Sequence, residues 1–315
     1  MGVHIAVVGN GRIGRPTAYT LLNERLADEF SVVDTKPGLA WAFGEELNHV
    51  AASLRYDVKI NAYEEDEGLE GADLVVVCPG KPRIPGVKMD RRDLVAANAE
   101  IIKYVAEVMP PRNPTAKWVI VTNPVDAMAT LFRKVSGADF VIGTGDHPDT
   151  LRFRSKLSRD LGVPVSRIEG FVGGEHGSAA YPLWSTVRVA GEALDDYLSE
   201  TGKSLDREGV VGYVRGISKE VLDIIGGTEV GPASGFRDIV RSILQDRREV
   251  YSVAQPLRLP GLPEEVNVSV PTHVGLELGP NMWDELPEEE RAGIVRAAEA
   301  IHANYIMSLE AVGEA

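Results

Sequence analysis

Short apolar runs alternate with amphipathic stretches along the first half of the chain. Residues 4–8, 30–33, 72–78, 117–121 and 140–142 are rich in Val, Ile and Phe and predict buried strands. Between them, residues 13–26 and 93–109 carry apolar positions at helical spacing. Strands alternating with helices predict an α/β unit, a parallel sheet covered by helices on both faces. The second half follows another order. Residues 148–161 predict a helix, 167–172 a strand, 173–177 a glycine-rich loop and 183–189 a further strand. A long helix near 209–225, a hairpin over 250–270 and a helix over 287–309 complete an α+β pattern. The change of pattern places a domain boundary near Gly145, giving units 1–145 and 146–315. The acidic run 64–67 reads as a solvated loop.

A chain of 315 residues is too long for one ordinary core, which agrees with two units. The net charge of −14 speaks against a nucleic-acid partner, which calls for a basic face. An anionic substrate must therefore be drawn by a local basic cluster. Residues 81–92 supply one: Lys81, Arg83, Lys88, Arg91 and Arg92 face a single acid, Asp90. No apolar run approaches the roughly 20 residues of a membrane helix, so no membrane partner is expected. The first apolar stretch runs directly into a glycine turn and lacks the basic start of a secretion signal. Cys78 is the sole cysteine, so no internal disulfide forms, and a reducing cytoplasmic setting is expected.

That glycine turn carries the first chemistry. Gly9-Asn10-Gly11-Arg12-Ile13-Gly14 follows a strand and opens a helix, and Asp34 ends the next strand. The pattern is the dinucleotide fingerprint of a Rossmann-type sheet. The glycines make a tight turn and let the backbone approach a pyrophosphate at the positive end of the helix. A carboxylate at Asp34 suits ribose hydroxyls and repels a 2′-phosphate, so NAD is expected rather than NADP.

Four further segments add specificity. Pro82-Arg83-Ile84-Pro85-Gly86 leads to Met89-Asp90-Arg91-Arg92-Asp93-Leu94; Thr122-Asn123-Pro124-Val125-Asp126 and Asp149-Thr150-Leu151-Arg152-Phe153-Arg154 follow, then Gly174-Glu175-His176-Gly177. In this order and spacing the chain resembles the lactate/malate dehydrogenase superfamily over essentially its full length. It is most similar to the lactate-dehydrogenase-like malate dehydrogenases. Oxidising a 2-hydroxy acid requires a base that titrates near neutrality, and histidine suits that task. The resemblance gives His176 that role and Asp149 the task of orienting it. It implies that Arg152 binds the substrate C1 carboxylate, that Asn123 bonds the reacting oxygen, and that Arg91 polarises the C2 carbonyl. It also implies cofactor contacts at Gly80, Asn98, Val121, Thr122 and Asn123, and a loop over 81–92 that closes on the substrate. Arg83 falls at the specificity position, where arginine goes with a dicarboxylate, so malate and oxaloacetate are expected. No metal is expected. The family resemblance further implies a homo-oligomer, a tetramer rather than a dimer.

Several positions depart from the family pattern. Val87-Lys88 reads as a two-residue insertion, Pro148 replaces an apolar residue, and Cys78-Pro79-Gly80 stands where Thr-Ala-Gly is usual. Gly231-Pro232-Ala233 matches some archaeal members, with Ala233 at the pocket. The rival readings are a lactate dehydrogenase, a non-catalytic NAD-binding module, and the related NAD- and metal-dependent glycosidases. Arg83 argues against the first, and the set of catalytic groups against the second. The third relies on a Cys/His metal site, and the one cysteine here lies on a buried-type strand.

Overall fold

The computed structural model describes residues 2–81 and 91–314, Arg91 by its backbone alone. Arg83, the rest of the basic segment from 82 to 90, and the Arg91 side chain lie outside the described residues. The first half contributes β1 (His4–Val8), α1 (Gly14–Asn23), β2 (Glu29–Val33), α2 (Leu39–Leu54) and β3 (Lys59–Tyr63). It continues with β4 (Leu74–Val77), α3 (Arg91–Val108), β5 (Lys117–Ile120), α4 (Val125–Ser136) and β6 (Val141–Gly143). These six strands pair in parallel in the order β3-β2-β1-β4-β5-β6. After their first residues, the central strands β1, β4 and β5 are apolar throughout because both faces are covered. Val75, Val77, Trp118 and Ile120 pack on one side, and Ile5, Val7, Leu74, Val76 and Val119 on the other.

The second half contributes α5 (His147–Leu161), β7 (Ile168–Gly173), β8 (Tyr181–Val189), β9 (Glu192–Ala193), α6 (Leu194–Thr201), α7 (Arg207–Ile225) and α8 (Val230–Leu244). Then come β10 (Glu249–Leu257), β11 (Val266–Val274), β12 (Leu278–Asn281) and α9 (Glu288–Val312). Strands β7-β8-β9 form a small antiparallel sheet. Strands β10, β11 and β12 do not join it. They add to β6 antiparallel and extend the first sheet to nine strands among the described residues. The join is narrow, a single pair, Ala254 against Gly143. Buried Asn267 on β11 reinforces it by donating to the carbonyls of Val141 (3.3 Å) and Ala254 (3.2 Å). Helices α3, α4 and α9 cover one face of this sheet, and α1, α2 and α8 the other.

The acidic run 64–67 is not wholly solvated, contrary to expectation. Asp66 is 6% exposed, and burial, then Glu67 and Asp34, push its carboxyl up to about 6. Pro148 fits without strain because it is the second residue of α5, where no intrahelical amide is required.

Candidate active site

The turn after β1 is built from backbone. Gly9 adopts φ +84°, and a Cβ there would lie 2.5 Å from the Pro79 nitrogen. A Cβ on Gly14 would lie 1.8 Å from the Gly9 carbonyl oxygen, so helix and turn touch directly. A Cβ on Gly11 would meet nothing within 4 Å. The two crowded glycines close the turn, and the third faces open space where a pyrophosphate can approach. Asp34 accepts hydrogen bonds from the backbone amides of Asn10 (2.7 Å) and Lys36 (2.9 Å), which fixes its carboxylate at the end of β2. The Asn10 side chain is fully buried, and its amide has no partner among the described residues. A backbone cradle with room at Gly11, a buried side-chain amide at Asn10 with no partner among the described residues, and an anchored carboxylate at Asp34 fit an NAD dinucleotide. The Arg12 guanidinium pairs with Glu229 (3.3 Å) and donates to the Ile225 carbonyl (3.2 Å). Ile13 directly precedes α1.

The next part of the cleft sits at the carboxyl ends of β4 and β5. Asn98, 2% exposed on α3, accepts from the Lys81 amide (2.6 Å) and donates to the Asn123 carbonyl (2.7 Å). Thr122 donates to the Pro79 carbonyl (2.5 Å). A Cβ on Gly80 would crowd Thr122 and Asn98 at 3.1 and 3.3 Å. Val121 is buried, while Asn123 is exposed at the strand end. Gly80, Asn98, Val121, Thr122 and Asn123 thus come together around one strand crevice.

The proton-handling group lies deeper. His176 Nδ1 is 2.5 Å from Asp149 Oδ2, and Arg152 Nη1 is 2.5 Å from Asp149 Oδ1. One helical turn sets the last pair, because residues three apart share a face of α5. Burial opposes the charge on Asp149, but His176 and Arg152 outweigh it and hold the carboxyl below its ordinary value. Burial also opposes a charged His176; Asp149 outweighs it and raises the ring above its ordinary 6.5. Arg152 thereby makes the helical ion pair with one nitrogen, and the rest of its fork is left for a second anion.

Three acids stand around this dyad whose roles the sequence motifs did not declare. Asp126 on α4 accepts from the His176 backbone amide (2.9 Å) and so fixes the histidine loop. Burial pushes Asp126 up to about 7, against the pull of the His176 amide and ring. Glu175 is 3% exposed and accepts from Asn304 (3.3 Å). Asp146, one turn before Asp149, is fully buried. Asp126 and Glu175 were visible inside quoted motifs, but only their position in space shows what they touch. The donor atoms of Asp146, Asp149 and His176 lie within 4.8 Å of one another. Two of them already share a hydrogen, so the group reads as a proton network.

Comparison with known proteins agrees with this layout. Residues 3–140 match the family model for the lactate/malate dehydrogenase NAD binding domain, and residues 148–305 that of the lactate/malate dehydrogenase alpha/beta C-terminal domain. The chain is 37% identical to a malate dehydrogenase of Sulfurisphaera tokodaii over 306 residues, 97% of this chain and 96% of that one. It is 32% identical to an L-lactate dehydrogenase of Thermus aquaticus over 307 residues, 94% of this chain and 96% of the relative. The crystal structure of Cryptosporidium parvum malate dehydrogenase superposes with a TM-score of 0.90 at 28% identity, covering 97% of this chain and 98% of the other. The chain belongs to the lactate/malate dehydrogenase family and is an NAD-dependent dehydrogenase.

Proposed function

We propose that the chain interconverts malate and oxaloacetate, and that His176, oriented by Asp149, is its acid–base group. The observation that carries this is the 2.5 Å His176–Asp149 pair with Arg152 on the other carboxylate oxygen. With Nδ1 held by Asp149, Nε2 takes the proton from the C2 hydroxyl of malate and returns it in the reverse direction. Bound NAD supplies the hydride acceptor beside that carbon. Asp149 stabilises the imidazolium that forms, Arg152 holds the C1 carboxylate, and Asn123 bonds the C2 oxygen. Arg91 polarises the carbonyl. Gly9, Asn10, Gly11, Arg12, Ile13 and Gly14 receive the pyrophosphate and Asp34 the adenosine ribose.

Malate is favoured over lactate on two grounds. The malate dehydrogenase relative is the more similar of the two described, and Arg83 supplies the positive partner a second carboxylate needs. Leaving a buried charge without its partner costs roughly 2–5 kcal/mol, or about 30- to several-thousand-fold. NADH oxidation should therefore run at least about a hundredfold more efficiently with oxaloacetate than with pyruvate. A preference for pyruvate overturns this reading.

The protein is further proposed to act in the cytoplasm as a homo-oligomer, a tetramer rather than a dimer. Its one cysteine suits a reducing compartment. Trp41 and Val230 are 65% and 75% exposed, apolar surface of the kind a second copy covers. No helix among the described residues is long and apolar enough to cross a membrane.

A further inference from the structure

Asp146 stands at the position where an aspartate ordinarily caps the free amides of a helix's first turn. It does not cap α5, and neither of its oxygens meets a donor among the described residues. It is fully buried. Its own amide donates to Ser269 Oγ on β11 at 3.0 Å, which fixes the residue against the extended sheet. Its carboxyl is gathered with Asp149 and His176 inside 4.8 Å.

The charged surroundings are one-sided. Asp149 faces Asp146 from the first turn of α5, Asp126 from α4, and Glu175 from the loop after β7. The cations of the pocket, His176 and Arg152, both pair with Asp149. Two carboxyls at this distance do not both ionise, and the one with cationic partners keeps the charge. Asp149 has two such partners and Asp146 has none among the described residues. A protonated Asp146 also satisfies its own geometry, because its O–H becomes the missing donor of the pair.

We propose that Asp146 is a positioning residue that stays protonated, donates a hydrogen bond to Asp149, and so moderates the pull of Asp149 on the His176 ring. This rests on the reading of His176 as the acid–base group. Burial and the neighbouring Asp149 push the Asp146 carboxyl well above the ordinary carboxylate range, in the same sense. A hydrogen bond donated to Asp149 lowers that carboxylate's basicity and draws charge away from the imidazolium. Removing it leaves Asp149 a stronger partner, and His176 then holds its proton to higher pH.

The test uses the full-length protein with NAD bound. Difference infrared spectroscopy of wild type against Asp146→Asn at neutral pH should show one protonated-carboxyl stretching band missing in the variant. NMR titration of the His176 ring, assigned with His176→Gln, should place the Asp146→Ala midpoint about one pH unit above wild type, a tenfold change in proton affinity. Asp146→Asn keeps a donor and should stay close to wild type. The acid limb of malate oxidation should move with the Ala variant. Unchanged infrared bands, or coincident titrations in all three proteins, overturn the proposal. Should Asp146→Ala fail to fold, the infrared comparison with Asp146→Asn still decides. If His176→Asn retained turnover, the base assignment fails, while the infrared result still reports where the Asp146 proton resides.

Discussion

The turn after β1 and the pocket around His176 recognise two parts of one reaction with different materials. The turn uses glycine geometry, backbone amides and one carboxylate, Asp34, anchored by two amides. The pocket uses side-chain charge: one imidazole, one guanidinium and four acids, three of them shifted from their ordinary values. A dinucleotide must be held in both redox states, which asks for shape and fixed dipoles. A proton must change owner, which asks for groups whose affinities press against one another. The turn should therefore be sensitive to volume and insensitive to pH, and the pocket the reverse.

The sharpest way to break this contrast is at His176. His176→Asn should lower malate turnover by about a hundred- to ten-thousandfold, the range of general acid–base catalysis, with NADH affinity by fluorescence unchanged. Loss of NADH binding in that variant would mean the two regions are not separate. The turn is tested at Asp34. Asp34→Ala removes a charged hydrogen-bond acceptor worth roughly 1.5–3 kcal/mol, so NAD efficiency should fall by about 10- to 100-fold and NADP turnover should rise. This loss should be the same at pH 6 and pH 8; a strong pH dependence would undo the assignment.

Two glycines test the role of volume. Gly14→Ala drives a Cβ onto the Gly9 carbonyl and should lower both Tm and NADH affinity. Gly11→Ala meets no protein atom within 4 Å, so Tm should hold while NADH affinity falls. A Gly11→Ala variant with normal NADH binding would place the pyrophosphate elsewhere.

The mildest effect concerns Asp126. Its folded carboxyl is raised to about 7 from 3.8, so the folded state prefers the protonated form. The cost of ionising it is absent below about pH 4, grows through the window up to 7, and is fully present above. Asp126→Asn should then raise Tm by several degrees at pH 8, at about 2–4 °C per kcal/mol, and leave it nearly unchanged at pH 4. Equal shifts at both values would show that Asp126 is not held in a strained charge state.

The cofactor side was the more legible in the amino-acid sequence, because its signal is local. A strand, three glycines and an aspartate 20 residues past the last of them lie in one stretch of chain. The dyad was legible only through family motifs, since Asp149 and His176 are brought together by the packing of α5 on β7. Asp146 and Asp126 carry no pattern of their own; burial gives them significance, and burial is a property of the fold. Among the elements, β3 escaped because its residues are half-exposed and form no apolar run. Helix α8 escaped because Gly231, Pro232 and Gly235 mimic a loop.

The single-pair junction between β6 and β10, with Asn267 bridging it, bears on how members of such a family can be recombined. A chain severed after Gly145 would leave β6 an uncovered edge with its carbonyls unmet, a template for pairing with other chains. The second half would in turn carry a hairpin whose buried amide had lost one of its acceptors. Swapping halves between relatives at the linker would place a foreign β10 and β11 against a resident β6. Such hybrids should succeed only where the residues at 141, 143, 254 and 267 travel as a matched set, so the heritable module here is a seam of four positions rather than a length of chain.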